Sequence, residues 1–197
     1  MTDTPELDDN DILLWRDFPS ASAPVEWIKW THGPEGHRWS TRDHRSALAV
    51  IDAAQRFDHD DPDGAVAALV RSGVPMARLA QTAVYHLMIL IACSYDPHGF
   101  ADHLSAGARM RPGSTVHGDV LSTIAIAEAA AEFVAVAPED REGDPCHRMH
   151  QLLAECPTPL PRVAVSTCRV LGALWSEQSE SFDGLRQLHV RERGGDE

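Results

Sequence analysis

Cys146, His147 and His150 place three metal-capable side chains within five residues of the chain. On a helix His147 and His150 stand one turn apart on the same face, so both imidazoles can reach one ion. Cys146 and His150, four apart, form the other pair able to converge. Zinc takes thiolate and imidazole ligands in a tetrahedral set, so a site here needs donors from another element. His117 and Asp119 are the candidates. The chemistry would be metal binding, or hydrolysis by a metal-activated water. Against it, the spacing matches no established zinc module, and HExxH does not occur. Two solvated histidines on a polar helix face near its start account for the same residues.

Glu128 and Glu132 lie four apart on one expected helix; di-metal helical bundles hold their ions with carboxylates on facing helices, two of which also carry a histidine three residues after the glutamate. Ala131 and Ala135 occupy those places, so the pair reads as an exposed acidic stripe. His86 is more unusual, because it falls inside the most apolar segment of the chain. A buried neutral imidazole costs free energy unless its nitrogens are partnered. Tyr85 points about 100° away round a helix, so the partner is expected from another helix. His86 reads as a satisfied core histidine; the functional alternative is a base or ligand at a pocket floor. His98 and Asp102 can pair at i, i+4, close to His103. Asp58, His59, Asp60, Asp61 and Asp63 are oxygen-rich, but they lack the calcium-hand spacing and Pro62 interrupts them. That loop is expected to cap the helix after it. GxSxG, GxxxxGK[ST] and GxGxxG after a strand are all missing.

Composition narrows the function classes. The chain has 197 residues, is 43% hydrophobic and 24% charged, and carries a formal net charge of −13. That suits one globular core rather than a disordered chain. It disfavours nucleic acid and anionic membranes as partners, since both would repel it. The acidity is uneven: residues 112–156 hold eight acids against two bases, a net −6. Lys29 is the only lysine, an imbalance that GC-rich arginine codons explain without any special chemistry. The four cysteines form no CxxC pair, and MTDTPELDDND lacks the basic-then-apolar pattern of a secretion signal. The longest nearly continuous apolar run, 83–93, is short of the roughly 20 residues a membrane span needs. A cytoplasmic protein with reduced thiols is the expectation.

The elements that must position these residues are helical. Residues 75–95 begin with a proline and become apolar almost all the way round from Ala83, the pattern of a helix enclosed by others. Further helices are expected over 42–57, 63–71, 99–109, 117–136, 145–155 and 162–176, with a shorter amphipathic piece at 182–190. Gly73 suits the left-handed position that ends a helix. Pro157, Pro159 and Pro161 read as a stiff connector. Four of the five tryptophans lie in residues 12–40 among prolines and glycines. The fold expected is all-α: a compact bundle of about six to eight helices over 41–190, preceded by an irregular acidic, Trp-rich arm (1–40) and followed by a flexible tail (191–197).

The function these features favour is a non-enzymatic acidic helical protein without a cofactor, which binds a protein partner or itself and so regulates or neutralises a basic protein. The alternative is a metal-binding helical protein or metal-dependent hydrolase, holding zinc or another divalent ion on Cys146, His147, His150 and His117 or Asp119. A pocket for a small apolar ligand beside His86 is a third reading.

Overall fold

The computed structural model describes residues 41–92, 117–135, 145–175 and 179–193. The Trp-rich arm, the helix expected over 99–109 and the end of the tail lie outside the described residues. Within them the chain forms seven helices and no strand. These are α1 (Thr41–Asp58), α2 (Pro62–Arg71), α3 (Met76–Ala92), α4 (His117–Ala135), α5 (Pro145–Glu155), α6 (Leu160–Ala173) and α7 (Ser179–Arg193).

Local chemistry sets several of these boundaries. Asp61 accepts the Gly64 amide at 2.9 Å and so caps α2. Its other carboxylate oxygen accepts from Arg56, which also bonds Asp52. The oxygen-rich loop is thus a helix junction, as its sequence indicates. Gly73 closes α2 with φ +66°, the left-handed conformation that glycine adopts without strain. The Pro75 carbonyl accepts from the Arg78 and Leu79 amides at 2.9 and 3.1 Å. The ring therefore sits at the entry of α3, where its missing N–H removes no hydrogen bond.

Two helices differ in their ends from the sequence reading, and α6 stops at Ala173, three residues before the expected 176. Pro161 does not continue the connector; it lies in the first turn of α6, with Pro159 at the cap position, because a fixed φ near −65° already matches a helix start. The helix α7 begins at Ser179 and continues to Arg193, three residues beyond each expected end. Glu180 lies in its first turn, where a carboxylate complements the helix dipole.

The core is organised round α3, which packs against α6, α4, α1 and α5 and touches α2. Every residue from Thr82 to Ile91 is buried. The helix α6 fills the space between α1, α3 and α4 with Val163, Ala164, Cys168 and Leu171. Two hydroxyl pairs tie the layers: Ser46 to Thr82 at 2.9 Å between α1 and α3, and Thr123 to Ser166 at 2.7 Å between α4 and α6. The helix α7 rests on α1. It is anchored by Phe182 stacked on Trp175, with ring centroids 4.2 Å apart, and by Arg186 donating to Gln55 at 2.9 Å.

Among the described residues no single helix is long and apolar enough to cross a membrane. The helices α2 and α3 reach that length only together, across a 117° bend.

Candidate functional site

Three buried imidazoles meet where α1, α3 and α7 converge. His44 extends the stripe that carries Ala47 and Ile51, and His189 the stripe of Phe182 and Leu185, so amphipathic packing turns both rings inward. His86 comes from the middle of α3, and all three residues are at most 2% exposed. The His44 and His189 Nδ1 atoms are 3.1 Å apart. One ring must donate there and the other accept, so the two Nδ1 atoms are in opposite protonation states. The His86 and His189 centroids are 5.5 Å apart with the rings tilted by 41°.

The hydrogen bond described for His86 runs from Nδ1 to the Thr82 carbonyl at 2.8 Å. That carbonyl lies one turn back on α3, whereas the sequence reading sought a partner on another helix. What another helix supplies is the ring of His189. A donating Nδ1 leaves Nε2 as the unprotonated nitrogen of neutral His86. Thr82 also donates to the Arg78 carbonyl at 2.9 Å, and Arg78 forms an ion pair with Asp43, the neighbour of His44. Burial pushes the His86 imidazole down to about 4, against the pull of its bond to Thr82. For His189 burial is again the largest cause; His86 and His44 add to it, Asp43 opposes, and the result is about 2. Both rings are neutral at pH 7.

The residues that sequence spacing offers as metal ligands are placed differently. His117 and Asp119 open α4, while Cys146, His147 and His150 fall in the first turns of α5, and the two helices touch. His150 is exposed, as a solvated face would have it. The side chains of His117, Asp119, Cys146 and His147 lie outside what the structure describes. Among the described residues no three histidine, cysteine, aspartate or glutamate side chains are placed to hold one ion, and this includes the three core histidines.

The second feature is a groove of about 370 Å³ between α4 and α5. Buried Ile126 and Leu152 are at its floor; Ala125, Ala129, Cys156 and Pro157 line it together with exposed Glu155. Two alanines one turn apart on α4 leave the space that larger side chains would fill. Glu128 and Glu132 share that helical stripe with Ala125 and Ala129, at spacings of three, four and seven, and both are exposed. The groove is therefore apolar within and acidic along its α4 side. Sequence analysis identifies the acidic stripe but not the cavity beside it, which depends on how α5 leans on α4.

Comparison of the chain with protein-family models, with curated protein sequences and with solved structures returned no match.

Proposed function

We propose that this chain is a non-enzymatic helical protein that binds a basic, amphipathic segment of a protein partner in the groove between α4 and α5. The observation that carries the reading is the pairing of an apolar floor with an acidic stripe on one accessible face. A helix or strand presenting one or two aliphatic side chains fits such a groove, and arginine or lysine beside them would face Glu132 and Glu155. A second copy of this chain suits the face less well: with a net charge of −13, two copies repel one another.

The test uses a fluorescein-labelled synthetic helical peptide with leucines at i, i+3 and i+7 and arginines on its flanks, titrated into the full chain. The leucine–arginine peptide is expected to bind, while a leucine–glutamate peptide and a serine–arginine peptide do not. Ala125→Trp fills the groove at an exposed position. It forfeits the burial of about one aliphatic side chain, roughly 1.5–3 kcal/mol, which weakens binding about ten- to a hundredfold with the melting temperature held. Binding unaffected by Ala125→Trp, or equal for both charge types, would overturn the proposal. So would a dimer that Ala125→Trp dissolves, since the face would then belong to a second copy.

A further inference from the structure

We infer that the joint of His44, His86 and His189 is an acid-operated latch, holding α7 on α1 and α3 above the ordinary histidine range and releasing it below. The geometry makes the case. The 3.1 Å Nδ1–Nδ1 contact has room for a single proton; a second would set two N–H groups against each other. His189 also neighbours the His86 ring, at 5.5 Å, so a charge on any one imidazole is felt by another inside a buried cluster.

The other titratable and charged groups near the joint are few among the described residues. Asp43 on α1 is the one carboxylate that favours a charged His189, and it already forms an ion pair with Arg78 of α3. Tyr85 of α3 stands edge-on to His86, with centroids 6.4 Å apart. Among the described helices α7 packs chiefly on α1, with the Phe182–Trp175 stack beside it, whereas α3 packs on four other helices. Local opening favours the element with the fewest buried partners. The acid response therefore starts with α7.

The sign follows from proton linkage. Once exposed, His86 and His189 take up protons below about 6.5, whereas folded they hold them off to about 4 and about 2. The stabilisation from keeping them neutral is complete above about 6.5 and is lost as pH falls toward those lower values. Each ring so held raises the opening constant about tenfold per pH unit, so the pair raises it about a hundredfold between pH 5.5 and 4.5. Carboxylates also respond to acid, and the comparison must remove the imidazoles alone.

The measurement is hydrogen exchange of the full chain followed by mass spectrometry between pH 7 and 4.5, corrected for intrinsic rates. Wild type, His189→Asn and His86→Asn are compared. Peptides from α7 are expected to lose protection steeply below pH 6 in the wild type while α3 stays protected. Each substitution should flatten that dependence by about tenfold per pH unit. Equal slopes in all three proteins would overturn the proposal. If a variant does not fold, NMR of the wild type decides: His189 and His86 imidazole signals that stay constant above pH 6 and then shift together with the loss of α7 signals as pH falls to 4.5 support the latch, and imidazole titration with the α7 signals unchanged overturns it. Stoichiometric metal in the purified protein that is lost in His189→Asn would also overturn it, since the cluster would then be a ligand set.

Discussion

Cys156 and Cys168 are twelve residues apart and chemically far apart. Cys168 sits in the core of α6, where burial pushes its thiol up to about 12. Almost none of it is thiolate at pH 8, and a thiolate is what reacts. Cys156 is half-buried at the groove between α4 and α5. With an alkylating reagent at pH 8, Cys156 is expected to be modified in the native protein and Cys168 only after denaturation, as read by peptide mass mapping. Bound leucine–arginine peptide should slow the labelling of Cys156. Native labelling of both residues at equal rates would mean that α6 opens far more readily than its packing indicates. The histidines show how much of a site the chain discloses at this scale. His86 is conspicuous because an imidazole interrupts an apolar run. His44 and His189 leave a fainter mark, each extending an apolar stripe by one turn. Their meeting joins positions 145 residues apart, and no local pattern encodes that separation.

Gly172 lets α6 and α1 approach closely. A Cβ built there would stand 2.6 Å from the Ala54 carbonyl oxygen and 2.7 Å from the Phe57 Cβ. Neither is the far end of a flexible side chain, so the helices themselves would have to separate. Ala53 and Ala54, both fully buried on α1, belong to the same close contact. Gly172→Ala is expected to destabilise the fold by about 1–3 kcal/mol although alanine is the better helix former. A lowered urea midpoint with unchanged helical circular dichroism is the signature; unchanged or increased stability would mean that the two helices slide apart at little cost. Helix positions were largely legible from the chain. The expected span 145–155 is that of α5, and 42–57 and 63–71 lie within one residue of α1 and α2. Misreadings occur where prolines and charged ends decide the boundary, at Pro161 and at Arg191 to Arg193. A proline can stop one helix or start the next, and charged residues extend a helix only when its dipole direction is already known.

The whole molecule turns on α3. A residue of this helix leaves the core only by breaking contacts with α1, α4, α5 and α6 at once. Departure of α7 uncovers the His86 ring but leaves the α3 backbone enclosed by these four helices, so the amides of residues 83–91 should exchange only through global unfolding. The hydroxyl pair of Ser46 and Thr82 ties the same helix to α1. The enclosed character of α3 was readable because its apolar residues run round the whole helix rather than along one face. Which helices enclose it was not readable, since any apolar partner satisfies that pattern. Leu87 is fully buried at the middle of this helix, and Leu87→Ala removes packing that its neighbours cannot restore, a loss of about 2–5 kcal/mol. Two readouts must then move together: the denaturant midpoint falls, and exchange of the α3 amides at pH 7 accelerates by the same free energy. Exchange of α3 within seconds in the wild type would place the stable core elsewhere. So would a Leu87→Ala change that lowers the midpoint while α3 exchange stays as it was. Either outcome would move the centre of the molecule to α6, which shares the helices α1 and α4 with α3.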